Sequence, residues 1–289
     1  MNKQQSSEPA PVQSMWKRCE GFEQMAAHSQ QLVSYARQGH VATITLNRSD
    51  KRNAFNADLV RSLRQALADF DGDREARVAI LCGAGMAFSS GADVQERQMR
   101  TPEEFARLGG PQEPDAHTGD LFVRSINWKP VIAAVHGAVM GLGLGVAFEC
   151  DLVVADLNTR FQITETPRGL GGARFWSLLH TCGAGAFATE VALTGRFFSA
   201  EEAHRAGIVC SVAPDGCVIE HAEALAQRIA ANPPLSVQST VRVRRWFMDQ
   251  AERMAVAFTD PMKLYLTDDF REAVAAHVEK REPSDFKGR

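Results

Sequence analysis

The sequence predicts an α/β fold in which a mainly parallel sheet, covered by helices, is followed by a helical C-terminal region. Two observations carry this. Short apolar runs bounded by turn formers recur at 41–46, 78–81, 131–135 and 152–155, and such runs suit strands buried on both faces. Segments of helical period alternate with them, and from about Gly172 the strand signals thin while helical patterns succeed one another at 184–194, 200–206, 217–231, 235–249 and 267–281.

The elements follow in order. Residues 1–32 are set apart as an extension, polar over its first part and carrying Pro9 and Pro11. Val41–Leu46 is a β-branched run that ends at the turn former Asn47. Asn56 is a suitable N-cap for a helix on which Leu59, Val60, Leu63, Leu67 and Phe70 share one face, and Asp71-Gly72-Asp73 stops it. The runs at 78–81, 131–135 and 152–155 supply further buried strands. Asn232-Pro233-Pro234 separates two of the later helices, because a residue before proline is pushed out of the helical region. The organisation expected is a core over 33–195 and a helical part over 196–289.

Composition narrows the classes of function. Hydrophobic residues make up 45% and charged residues 23% of the 289 residues, which is ordinary for a globular protein. The formal net charge is 32 − 35 = −3, so no global positive field favours nucleic acid or an anionic membrane, and neither is expected as a partner. No apolar run reaches the 18 or so residues of a membrane span. The six cysteines, at 19, 82, 150, 182, 210 and 217, show no C-x-x-C spacing and sit mostly in apolar runs. They read as reduced, buried hydrophobes of a cytoplasmic protein rather than metal ligands, and no metal is expected.

Two glycine-containing loops could carry chemistry. Phe88-Ser89-Ser90-Gly91-Ala92-Asp93 follows the strand at 78–81, and 136–143 (HGAVMGLG) follows the strand at 131–135 and opens an apolar helix. Small residues let backbone approach a ligand, and a helix start presents unpaired N–H groups. Each loop could aim one N–H at a developing oxyanion, although such turns also occur merely as turns.

From about Val33 to Arg289 the chain resembles the enoyl-CoA hydratase/isomerase (crotonase) family. The resemblance rests on ordered segments: VATITLNRSDKRNAFN (41–56), FSSGADV (88–94), HGAVMGLGLGVAFECD (136–151), LTGRFFSAEEAHRAGIV (193–209), ANPPLSV (231–237) and DDFREAVAAHVEKREPSDFKGR (268–289). It implies a crotonase-like spiral of ββα units with a C-terminal helical trimerisation region, assembled as a trimer or a dimer of trimers. It also implies an acyl-CoA substrate, with coenzyme A entering only as part of that substrate and no separate cofactor.

Residue by residue, the resemblance implies that the backbone N–H groups of Ala92 and Leu142 form the oxyanion hole. Arg48, Lys51, Arg52 and Ala54 on the first turn, and Lys287 near the C-terminus, match positions that meet CoA. Glu165, in the FQITE segment at 161–165, matches one of the two acid/base glutamates of the family's hydratases. The other is absent: Gly145 stands in its place, and Glu149, one helical turn on, lies about 6 Å further along the axis, too far to replace it. Glu149 is therefore expected in a salt bridge. The stretch after Glu165 is about four residues shorter than is common in the family, with Arg168, Arg174 and Trp176 as candidate pocket residues. His136 is read as a structural polar residue. A single glutamate favours double-bond isomerisation. The arginines at 242, 244 and 245 are read as an exposed helix face. The alternatives are a hydratase that recruits another acid, an acyl-CoA decarboxylase, or, outside catalysis, an RNA-binding relative for which those arginines could form a patch, or a catalytically weak relative.

Overall fold

The sheet begins with an antiparallel pair. In the computed structural model, which describes residues 31–110 and 128–289, β1 (Val33–Gln38) pairs with β2 (Val41–Leu46). The extension expected over 1–32 lies almost wholly outside the described residues. After β2 come α1 (Ala57–Gly72), β3 (Val78–Gly83), α2 (Val94–Arg97), α3 (Pro102–Leu108), β4 (Val131–Val135), β5 (Ala138–Met140), α4 (Leu142–Glu149), β6 (Leu152–Asp156) and β7 (Arg160–Gln162). The later part holds α5 (Ala173–Thr181), α6 (Gly185–Thr194), β8 (Phe198–Ser199), α7 (Ala200–Arg205), β9 (Ser211–Ala213), α8 (Val218–Ala230), α9 (Pro234–Thr259) and α10 (Asp268–Glu279).

Six strands form one sheet in the order β1-β2-β3-β4-β6-β9, parallel except for β1, and β5-β7-β8 form a second, three-stranded sheet. Side chains alternate across the large sheet, as the two-residue period requires. Val78, Ile80, Cys82, Ile132, Ala134 and Val154 pack on α8, whose Ala222, Ala226 and Ala230 let it approach closely. Ala79, Leu81, Ala133, Val135 and Ala155 face the other way, into the larger core with α1 and α4. Both faces are covered, which is why these strands read as unbroken apolar runs.

Helix α1 begins and ends for visible reasons. The Asn56 side chain accepts the Leu59 N–H at 3.0 Å, and the expected face of Leu59, Val60, Leu63, Leu67 and Phe70 is buried. At the other end the buried Lys129 ammonium donates to the carbonyls of Phe70, Asp71 and Asp73 at 2.8, 3.2 and 2.7 Å, satisfying acceptors a helix end leaves open.

Two expectations change. The helix expected over 235–249 runs on to Thr259, stopping just before Pro261, whose ring and missing N–H end it. The arginines at 242, 244 and 245 are not one exposed face. Val241, Arg245, Met248 and Glu252 form the inward stripe of α9. Arg245 is buried, donating to Asp151 at 2.6 Å and to the Lys129 carbonyl at 2.7 Å. Asp151 in turn accepts the Val131 N–H at 2.8 Å, so the ion pair ties α9 to the sheet.

Candidate active site

The loop at 88–93 is fixed from beneath by Asn53, a fully buried side chain in left-handed backbone at φ 54°. Its amide donates to the carbonyls of Ala84 and Ala87, both at 2.9 Å, while its own carbonyl accepts the Ser89 hydroxyl at 2.8 Å. Further along, the Phe55 N–H donates to Gly91 O at 2.7 Å and the Asp93 N–H to Phe55 O at 3.0 Å. In extended backbone successive N–H groups point to opposite edges. Ala92, between those two bonds, therefore turns its N–H away from Phe55, and no acceptor among the described residues takes it.

The second loop is set against the first by a bridge between Ser89 and Val139. Gly141, at φ 45°, makes the turn that starts α4 with Leu142, and only glycine fits there. A Cβ on Gly141 would lie 2.3 Å from Thr164 Oγ1 and 2.7 Å from Glu165 Oε1. Gly91 is equally constrained, since its Cβ would lie 2.9 Å from Met140 O and 3.7 Å from Leu142 N. The Leu142 N–H, at the first turn of its helix, takes no acceptor among the described residues. These approaches bring Ala92, Leu142 and Glu165 into the lining of one pocket.

Burial pushes the Glu165 carboxyl up to about 7, against the smaller opposing pull of Arg168 and Arg174. Near neutrality it is thus poised to take or to give a proton. The site of the absent second glutamate is filled: a Cβ on Gly145 would lie 2.4 Å from Cε1 of Phe175, whose ring lines the pocket. Glu149 points elsewhere. Its carboxylate pairs with Arg174 at 2.6 Å, and Arg174 also pairs with the buried Glu252 of α9. Glu149 is the salt-bridge residue the sequence suggested.

The cations expected to meet CoA do not line the pocket. Arg48 is drawn inward by Asp93 at 2.7 Å and donates to Ala54 O at 2.9 Å. Burial alone would raise the Asp93 carboxyl, but the Arg48 bond and backbone N–H groups hold it below the usual range. Lys51 and Arg52 are exposed on the turn at 49–52, and Lys287 is exposed on the C-terminal tail, its N–H donating to Asp269 at 2.7 Å. Of the candidate pocket residues Arg174 lines the cavity. Arg168 instead joins Gln98 and His277, at 3.4 and 3.0 Å, and Trp176 stacks on His180. His136 is structural, its Nε2 2.9 Å from Gly85 O.

Residues that sequence reasoning did not single out complete the pocket: Arg97 and Gln98 at the end of α2, Leu170, and residues between Val256 and Tyr265. No motif marks them, because they meet only when α9 and the turns after it fold over the sheet. Among the described residues there is no cluster of metal-ligating side chains, and no helix is long and apolar enough to cross a membrane.

Comparison with known proteins agrees with this architecture. The family model described as enoyl-CoA hydratase/isomerase matches residues 36–289. A putative enoyl-CoA hydratase of Thermus thermophilus is 35% identical over 251 residues, covering 85% of this chain and 97% of that protein. A short-chain-enoyl-CoA hydratase of Clostridium acetobutylicum is 32% identical over 269 residues, covering 89% and 98%. Among solved structures, carnitinyl-CoA hydratase from Mycobacterium avium superposes with a TM-score of 0.76 at 32% identity, covering 90% of this chain and all of that one. With the sheet order, the glycine-built loops and a match over nearly the whole described chain, the protein belongs to the enoyl-CoA hydratase/isomerase family and has its crotonase fold.

Proposed function

We propose that this chain processes acyl-CoA thioesters by holding the enolate of the thioester between the amides of Ala92 and Leu142, with Glu165 as its acid and base, and that double-bond isomerisation is the favoured reaction. The observation that carries this reading is one carboxyl poised at about 7 beside two backbone N–H groups, with Phe175 where a second carboxylate would stand. The thioester oxygen accepts both N–H groups, which lowers the energy of the enolate formed when a C2 proton leaves. Glu165 takes that proton from a 3-enoyl thioester. The electron pair of the broken C–H bond first enters the enolate; as the carbonyl re-forms it becomes the C2–C3 double bond, and the pair of the former C3–C4 double bond takes the proton that Glu165 returns to C4.

A second reading is hydration, favoured by the hydratase names of the relatives. Glu165 would then deprotonate water as it adds to C3 and return a proton to C2, one group serving both steps. In either case Lys51, Arg52 and Lys287 are the cations free to meet CoA phosphates beside the Ala54 backbone, whereas Arg48 shapes the turn. The exposed Trp246, Phe247 and Phe258 of α9 support burial against another copy of the chain; assembly in multiples of three, which only the family resemblance implies, is tested by sedimentation at micromolar concentration.

The reaction is tested by incubating 3-enoyl-CoA and 2-enoyl-CoA esters with the pure protein and following mass and double-bond position. Isomerisation leaves the mass unchanged while the bond moves. Gain of water selects the second reading, and loss of CO₂ overturns both.

A further inference from the structure

The wall of the pocket that faces the thioester site is not explained by the chemistry above. It carries polar groups, Gln98, Asp260, Lys263 and Tyr265, beside the apolar Leu170, Phe175, Val256 and Leu264. A plain hydrocarbon acyl chain would strip water from these polar groups and offer them no partner, an arrangement that discriminates against such a chain.

The cations of the site are not equivalent. Arg174 lies between two buried carboxylates, Glu149 and Glu252, and is saturated by them. Lys263 is bound loosely. Its partner Asp260, at 2.8 Å, is three residues away, and both side chains are about half exposed. Pairs of this kind contribute little and exchange readily. Tyr265 lines the same pocket two residues on. The Tyr265 ring is fixed against Phe105, 5.8 Å between centroids, and Phe105 against Phe270 at 5.6 Å. Lys263 also occupies left-handed backbone, φ 45° and ψ 45°, between two 3₁₀ turns, where glycine would be the unstrained residue. The turn therefore does not account for a lysine here, but the pocket does.

We infer that Lys263, assisted by the Tyr265 hydroxyl, reads an anionic group at the far end of the acyl chain, so that the preferred substrates are CoA thioesters of dicarboxylic acids. This rests on the acyl-CoA reading above and makes Lys263 a specificity-determining residue. The ammonium exchanges Asp260 for the distal carboxylate, and the apolar middle of the pocket covers the methylenes between.

The experiment is calorimetric binding of unreactive saturated esters in pairs of equal length: succinyl- with butyryl-CoA, adipoyl- with hexanoyl-CoA, and suberoyl- with octanoyl-CoA. At one length or more the dicarboxylic ester should bind about tenfold or more tightly, the scale of a hydrogen bond to a charged group. Lys263→Met should abolish that preference and Lys263→Glu should reverse it. Each preference is a ratio within one preparation, so a partly unfolded variant does not distort it. Equal affinities at every length in the natural protein overturn the inference and leave the acyl-CoA reading standing. A preference that survives Lys263→Glu removes Lys263 from the role. If no ester of either kind binds, the acyl-CoA reading itself fails, and this inference with it.

Discussion

The two walls of the pocket are built by different means. The wall that holds Ala92 and Leu142 consists of loops attached directly to strand ends, with backbone hydrogen bonds to Phe55 and Ala138 and glycines at 91 and 141 where a Cβ would strike backbone or Glu165. The facing wall comes from helices and 3₁₀ turns at 170–175 and 256–265, held by side-chain ion pairs and aromatic contacts. Backbone donors on strand ends hold a reacting atom in place with little freedom, whereas side chains on a packed helical segment can change without disturbing the sheet. On the function and specificity proposed above, chemistry belongs to the first wall and selection of the acyl group to the second.

The strongest way to break this division is Glu165→Gln, which keeps the side-chain volume but cannot cycle a proton. Turnover should fall about 10²–10⁴-fold with acyl-CoA affinity little changed; a loss confined to affinity, seen by comparing kcat with binding, would contradict the assignment. On the facing wall, Arg174→Met strands the carboxylates of Glu149 and Glu252, both 8% exposed. Denaturant unfolding should show a loss of about 3–5 kcal/mol, far more than an exposed ion pair would give.

Ala92→Pro sharpens the comparison on the first wall. It deletes one N–H that the fold does not use, and turnover should drop about 10²–10³-fold while circular dichroism stays native. Gly145→Glu tests whether the absent carboxylate can be restored. The Phe175 ring already occupies that space, so the variant should lose about 1–3 kcal/mol by overpacking and gain no hydration, as thermal melts and product analysis would show. Trimming the ring as well, in Gly145→Glu with Phe175→Ala, should recover part of that loss.

The remaining prediction concerns pH dependence. The folded Glu165 carboxyl titrates near 7 instead of its ordinary 4.5, so between those values the folded chain keeps a proton that the unfolded chain releases. Stability must then fall as pH rises through this window, being fully retained below about 4.5 and reduced above 7. Natural protein should lose about 3 kcal/mol relative to Glu165→Gln from pH 4.5 to 8, measured by chemical denaturation at each pH. Turnover that requires the ionised carboxylate should climb over the same range.

The local pattern in the sequence determined the sheet strands β2, β3, β4 and β6, helix α1 with its Asn56 cap, and the three groups now found in one pocket: Ala92, Leu142 and Glu165. Those features depend on residues close in the chain, on short apolar runs, helical spacing and glycine-built turns, and on ordered segments that resemble a family. Three-residue β5 and β7 carried too few side chains to stand out, and β1 (VSYARQ) has no unbroken apolar run. Arg245 is charged and periodic with its helix, so nothing local distinguishes an exposed arginine from one paired with Asp151, 94 residues away. The Phe175 ring over Gly145, the partners of Glu149 in the Glu149–Arg174–Glu252 ion pairs and the wall from Val256 to Tyr265 were likewise decided only by tertiary structure. Each depends on which helix packs over which strand, and the burial of a charge or ring is set by partners that no stretch of nearby sequence contains.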